Sequence, residues 1–138
     1  MPISPQQLAA YLGAEYAVLA DEPFAFRVGE TSEPLDALME DIGVDSAAFV
    51  TAANPGGVPA DARENVLSTE ALINGQREAG YACIPGVGRD PRGEWPAEPS
   101  VLVLGISRRE AKMLGRSYEQ NAIVFIEKGA GAELVVLV

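Results

Sequence analysis

An apolar run, Ser100–Ile106, constrains the fold of this chain more than any other feature. The run is shorter than a typical helix, and a strand without alternating polar positions is buried on both of its faces. A second apolar segment, Ala47–Ala53, has the same character. Buried strands need helices packed against their sheet, so the sequence predicts an α/β fold.

Helix-start signals are spread through the chain. Ser4 is followed by Pro5 and, three residues after the serine, by Gln7, which together form a capping box with proline at the first helical position. This first helix is predicted to end near Gly13. Further helices are predicted to begin at Ser32, Asp61 and Ser107.

Shorter alternating segments complete the predicted sheet. They form an N-terminal hairpin, a central strand and a C-terminal hairpin, at Tyr16–Ala20 with Phe24–Gly29, Tyr81–Ile84, and Ala122–Glu127 with Glu133–Val138. No linker divides the chain, and 138 residues are a common length for one domain. The sequence therefore predicts a single α/β domain over residues 1–138, a mixed-sheet sandwich with central strand–helix–strand units and a hairpin at each end.

A long loop is predicted between two strands, at Pro85–Pro99. Its fifteen residues include four prolines and three glycines, and loops of this length in compact domains are usually functional or mobile. Gly86-Val87-Gly88 lacks the third glycine of a dinucleotide-binding loop. Trp95 is predicted to act either as a lid that stacks on a ligand or as a plug over the core.

The absence of histidine excludes several kinds of chemistry. Without imidazole there is no Ser-His or Cys-His nucleophile pair and no histidine-ligated zinc. Cys83 is the single cysteine and lies in a predicted strand, where it is expected to be a small buried hydrophobe. We therefore expect no metal site and no cofactor, and any catalysis must use carboxylates, amides, hydroxyls or arginine.

The protein is acidic, with a net charge of -10 that is unevenly distributed. Residues 1–76 contain 12 acidic and 2 basic side chains, whereas residues 77–138 contain 8 of each. This balance disfavours duplex nucleic acid as a partner. No apolar run is long enough to cross a membrane. Because the first seven residues carry no secretory signal and the lone cysteine fits a reducing compartment, a cytoplasmic location is expected.

Polar side chains cluster where predicted strands and helices begin or end. These candidate ligand-binding residues are Asn54, Asn65, Glu98, Ser100, Gln120 and Asn121. Side chains at such positions can point into one crevice, and amides with one carboxylate can bind a nucleobase or similar planar polar ligand through paired donors and acceptors. The alternative is that these amides tie loops to one another.

The same residues resemble a bacterial family known as domain of unknown function 3293, whose motifs are a T-A-x-N-P turn, a helix asparagine, E-x-S and F-x-Q-N-A-I. The matching residues are Val50–Pro55, Asn65, Glu98-Pro99-Ser100, Ala111, Leu114 and Gln120–Ile123. The resemblance extends from about Phe26 onward. Ala53 and Tyr118 depart from the pattern, which often has an aromatic residue or histidine at the first position and has phenylalanine at the second. The resemblance implies a small cytoplasmic α/β protein and supplies no reaction, cofactor or partner.

Three functions remain open from the sequence. The leading hypothesis is a binding module for a polar or nucleotide-like small molecule. An alternative is a hydrolase or glycosyl-bond enzyme in which Glu98 is the general acid or base, helped by Glu94 or Asp90.

The third hypothesis is an interaction module whose acidic half docks on a basic protein partner. Its acidic cluster is Asp36, Glu40, Asp41 and Asp45. For the candidate site itself, we expect Asn65→Ala and Glu98→Ala to change stability by no more than about 1 kcal/mol, as at positions outside a packed core.

Overall fold

The computed structural model describes residues 3–138, so the first two residues of the N-terminal segment considered above lie outside the described residues. It confirms a mixed α/β fold. The helices of residues 3–138 are α1 (Pro5–Gly13), α2 (Glu33–Ile42), α3 (Ala62–Glu78) and α4 (Arg108–Ser117). The strands are β1 (Glu15–Val18), β2 (Phe24–Phe26), β3 (Ser46–Thr51), β4 (Ala82–Arg89), β5 (Glu98–Leu104), β6 (Ala122–Glu127) and β7 (Glu133–Val136).

The strands form one sheet in the order β2-β1-β4-β5-β3-β6-β7. Both predicted hairpins are present, as β1 with β2 and β6 with β7. Strands β3 and β4 run parallel to each other, as a strand–helix–strand unit requires, but β5 lies between them and is antiparallel to both. The sequence predicts a mixed sheet, with both parallel and antiparallel neighbours. This part of the prediction is corrected, because every ladder between adjacent strands of the described chain is antiparallel.

The sheet is strongly curled. Phe26 on β2 and Phe49 on β3 lie four strand positions apart, which in a flat sheet would separate them by about 19 Å. Their ring centroids are instead 5.8 Å apart. At the two edges, an isolated parallel bridge joins Val28 to Ala132, the Gly29 backbone N–H donates to the Ala132 carbonyl at 2.7 Å, and the Ala132 N–H donates to the Glu30 carbonyl at 3.0 Å. The edges of the sheet therefore meet.

Each face of the curled sheet has its own apolar core. Helix α2 fills the concave face with Leu35 and Met39, and α3 covers the convex face with Leu72 and Ile73. Successive side chains of β5 alternate between these two cores. This alternation explains the continuous apolar run at the end of β5, because both of its faces are buried.

The predicted loop at Pro85–Pro99 is wrong in its first part. Strand β4 continues to Arg89, so only residues 90–97 connect it to β5. Pro85 is tolerated because its carbonyl accepts from the Leu19 N–H at 2.9 Å. Its N atom faces the same side, opposite Leu19 at the end of the β1–β4 ladder, so proline removes only one bond at that end.

The expectation that Cys83 is a small buried hydrophobe is confirmed. Cys83 is buried and unpaired, and burial raises the pKa of its thiol, as expected for an inert small hydrophobe. None of the helices within residues 3–138 has the length and apolar composition needed to cross a membrane.

Candidate functional site

Asn54 lies three residues after Thr51, the last residue of β3, and organises the next loop. Its backbone is left-handed, with φ 48° and ψ 60°, a conformation that asparagine tolerates better than most residues. A short 3-10 turn, Pro55–Gly57, comes next. The Asn54 Oδ1 atom accepts the Ala60 N–H at 2.9 Å, which closes the loop that leads into α3.

Asn65 holds Asn54 from the first turn of α3. The Asn54 backbone N–H donates to Asn65 Oδ1 at 2.9 Å, and Asn65 Nδ2 donates back to Asn54 Oδ1 at 2.8 Å. Asn65 is buried, so these bonds satisfy its polar atoms away from water. The loop-tying role weighed for these amides from the sequence therefore applies to Asn65.

Glu98 opens β5 opposite Asn54. Asn54 Nδ2 donates to Glu98 Oε2 at 2.6 Å, a short bond of the kind made to a carboxylate. Among residues 3–138, no donor bonds the other oxygen, Oε1. Burial raises the pKa of Glu98, and the hydrogen bond from Asn54 partly offsets that increase. The carboxyl group is thus held in place at one oxygen and open at the other.

Two adjoining cavities meet at these residues. The outer cleft has a volume of about 490 Å³, and the inner pocket, on the concave face of the sheet, has a volume of about 60 Å³. The side chains or backbone shared by both cavities are Tyr11, Asn54, Gly57, Trp95 and Glu98. An elongated ligand could therefore lie in the outer cleft and extend one group into the inner pocket.

The outer cleft is lined mainly by apolar residues, from α1, the loop after Asn54, the start of α3 and the segment before β5. Apart from the shared residues, they are Gln7, Ala10, Pro59, Ala60, Ala62, Asn65, Val66, Pro96, Ala97 and Pro99. A concave apolar wall with a few convergent polar groups is typical of small-molecule sites.

The other predicted site residues border the inner pocket. Ser100 is buried, and its hydroxyl donates to the Glu98 carbonyl at 3.1 Å. Gln120 Nε2 donates to the Ala53 carbonyl at 3.0 Å. Asn121 lines the inner pocket together with Tyr11. The structure thus places five of the six candidates on the inner pocket and Asn65 on the outer cleft.

Tyr11 and Tyr16 also line the inner pocket, although neither was predicted from the sequence to be a site residue. The Tyr16 hydroxyl donates to the Tyr11 carbonyl at 2.7 Å, which ties α1 to β1. Burial raises the pKa of both hydroxyls, so both are neutral donors at neutral pH. No local pattern distinguishes these tyrosines from ordinary core residues, because only the tertiary fold brings α1 to the cleft.

Two glycines of β4 lie across the ladder from candidate site residues. Gly88 pairs with Glu98 across the β4–β5 ladder, and Gly86 pairs with Ser100. A Cβ atom at Gly88 would lie 4.0 Å from the Ser100 hydroxyl oxygen, so the missing side chain leaves space beside the carboxyl group. Glycine inside a strand often marks a site where a ligand or another backbone comes close. This signal was missed because the segment was predicted to be a loop.

The second acid sought for catalysis lies elsewhere. Both oxygens of Asp90 accept loop N–H groups, from Arg92 at 2.9 Å and Glu94 at 2.8 Å. Asp90 and Glu94 line a separate surface cavity together with Arg27. Within residues 3–138, Glu98 is the one carboxylate on the inner pocket and outer cleft.

The acidic cluster of the N-terminal half is partly neutralised by the turn between β6 and β7. Lys128 Nζ lies 2.5 Å from a Glu40 oxygen and 3.6 Å from an Asp45 oxygen. Asp36 accepts the Gly129 N–H at 2.9 Å. These contacts reduce the unpaired negative charge that a basic partner would meet.

Trp95 packs against the concave core and also lines both cavities. Its side chain is half-buried. Truncating a fully buried tryptophan costs about 3–5 kcal/mol. Because Trp95 is only half-buried, we expect Trp95→Ala to lower the free energy of unfolding by about 1–2 kcal/mol, measured by urea denaturation. A loss above 3 kcal/mol would show that it acts mainly as a core plug.

The comparisons with known proteins place the site within one family. A family model described as "Protein of unknown function (DUF3293)" matches residues 50–123, a narrower span than the resemblance from Phe26 onward. That span contains all six candidate residues. Neither a curated protein nor a solved structure shows significant similarity to the chain.

Proposed function

The chain belongs to the protein family described as "Protein of unknown function (DUF3293)", and we propose that it is a binding module for a polar or nucleotide-like small molecule. One observation carries this proposal. The Glu98 carboxyl group sits on the wall shared by the two cavities, fixed at Oε2 by Asn54 and free at Oε1. A polar group that is already oriented loses little entropy when it binds a ligand.

The surroundings of Glu98 support the same function. The outer cleft has the volume of sites that hold drug-sized ligands, and its walls are mainly apolar. Tyr11, on both cavities, adds a hydroxyl, and Asn121, on the inner pocket, adds an amide. These groups together provide donors and acceptors around a surface suited to a planar ring.

Trp95 offers a direct test, since it is the single tryptophan of the chain and borders both cavities. We expect its fluorescence to change on titration with at least one member of a panel of nucleobases, nucleosides and other polar heteroaromatic compounds. Glu98→Gln should weaken that binding about tenfold, since a hydrogen bond to a charged group contributes roughly 1.5–3 kcal/mol.

Two glycine variants provide the matched control. Gly88→Val adds a side chain beside Glu98, whereas Gly75→Ala adds a methyl group in open space on α3. Binding should be lost in the first variant and unchanged in the second. If no panel compound binds, or if Gly88→Val binds as well as the parent, the cleft is not a binding site and the acidic surface becomes the better candidate.

A second candidate is a hydrolase or glycosyl-bond enzyme, favoured by the raised pKa of Glu98. A raised pKa keeps a carboxyl group protonated closer to neutral pH, as a general acid requires. The lack of another carboxylate on either cavity within residues 3–138 makes this the weaker candidate. Release of free base from a nucleoside panel, followed by chromatography and abolished in Glu98→Gln, would establish it.

A further inference from the structure

The charge of the two cavities restricts what they can hold. No lysine or arginine among residues 3–138 lines the inner pocket or the outer cleft. Within the described residues, Glu98 is the only acidic side chain on either cavity, and the tyrosine hydroxyls are neutral. The whole chain also carries a net charge of -10. A negatively charged group in this cleft would meet a carboxylate without a compensating lysine or arginine from the described part of the chain.

The hydrogen-bonding capacity of the site is equally specific. Asn54 Oδ1 already accepts from both Ala60 N and Asn65 Nδ2, which occupies its two lone pairs. Glu98 Oε2 accepts one bond and retains a free lone pair, and Oε1 accepts none from residues 3–138. Of the bonded pair Asn54 and Glu98, it is therefore Glu98 that retains acceptor capacity for a ligand, and a carboxylate matches two parallel N–H donors.

This inference rests on the proposed function. We propose that the ligand carries two adjacent N–H donors on a planar neutral or cationic group and has no phosphate. Guanine-type bases, amidines and guanidines share this donor edge. The two N–H groups bond Glu98 from the cleft, while the ring lies against the apolar wall near Trp95 and Tyr11. This narrows a nucleotide-like ligand to the base or nucleoside.

Isothermal titration calorimetry with four nucleosides and nucleotides tests the inference on the unmodified protein. Guanosine has both donors, inosine lacks the exocyclic amine, adenosine presents a different edge, and GMP adds a phosphate to guanosine. We expect guanosine to bind at least tenfold more tightly than each of the other three. Benzamidine should likewise bind more tightly than benzoate, which has the same ring but an acceptor edge of opposite charge.

Glu98→Gln checks that the selectivity comes from this carboxyl group. The amide replaces one acceptor by a donor, so the preference for guanosine over inosine should fall to less than threefold. The melting temperature of the variant is measured in parallel. Because the ligand series also applies to the unmodified protein, the inference can be refuted even if this variant is unstable.

The outcomes separate the inference from the function beneath it. Binding of GMP or inosine as tight as that of guanosine, or failure of both guanosine and benzamidine, would overturn the inference. If another compound of the wider panel then binds the parent protein and its binding is lost in Gly88→Val, the proposed function survives. If nothing in that panel binds, the proposed function fails as well.

Discussion

Replacing Asn54 with alanine is expected to lower the free energy of unfolding by about 2–4 kcal/mol, measured by urea denaturation. The side chain makes three hydrogen bonds, to Ala60, Asn65 and Glu98. Each net bond contributes about 1 kcal/mol, and buried groups left without a partner add further cost. Alanine also tolerates the left-handed backbone of this position poorly, at a cost of roughly 1–2 kcal/mol.

Two further variants separate these contributions. Asn54→Gly loses the same hydrogen bonds but accepts the left-handed backbone, so it should be about 1 kcal/mol more stable than Asn54→Ala. Asn65→Ala should cost about 1–3 kcal/mol, because its side chain is buried and both its amide oxygen and its amide nitrogen are hydrogen-bonded. This replaces the smaller effect expected from the sequence. If Asn54→Ala changes stability by less than 0.5 kcal/mol, on the order of a surface substitution, the network does not stabilise the fold.

Gly86→Ala is expected to destabilise the protein by about 2–3 kcal/mol, the upper part of the range for overpacked interiors. A Cβ atom at Gly86 would lie 2.7 Å from the Ala17 carbonyl oxygen and 2.7 Å from the Phe49 ring. Relief requires movement of the β1 backbone, which is fixed by its pairing with β4.

Gly88→Ala is the matched control for this prediction. It lies in the same strand and on the same face, but its nearest contact would be 4.0 Å away. Thermal denaturation should show a change within about 0.5 kcal/mol. Equal losses in both variants would mean that β4 responds to any side chain at these positions, and the close approach to Phe49 would not be the cause.

Local signals in the sequence predicted most of the helices and strands. The capping box at Ser4 and Gln7 makes both of its expected bonds, and Ser107, where a helix was predicted to begin, accepts the Glu110 N–H. The alternation and burial of the strands were equally readable, because side-chain direction along a strand depends only on parity. These features involve contacts between residues close in sequence.

Long-range pairing was less predictable. The placement of β5 between β3 and β4 depends on which strands find each other, and no local pattern encodes that choice. Proline and glycine in β4 indicated a loop. A strand accepts Pro85 only because β1 ends beside it, and it needs Gly86 because the Phe49 ring lies against that position. Both conditions are set by distant residues. The polar residues at the ends of strands and helices were found because their positions are local features of the sequence. Tyr11 was not found, because it reaches the cleft only through the packing of α1.

The bridge between Val28 and Ala132 has a consequence for solubility and for folding. Open sheet edges expose unpaired N–H and C=O groups that can recruit another chain and aggregate. Here the two edges pair through residues about one hundred positions apart, both outside the family-matched span 50–123. Closure over such a distance in sequence is slow. Before it forms, the two edges would be free to pair with other molecules. A fragment limited to residues 50–123 would lack β1, β2 and β7, so strands that are internal in the whole chain would become its edges.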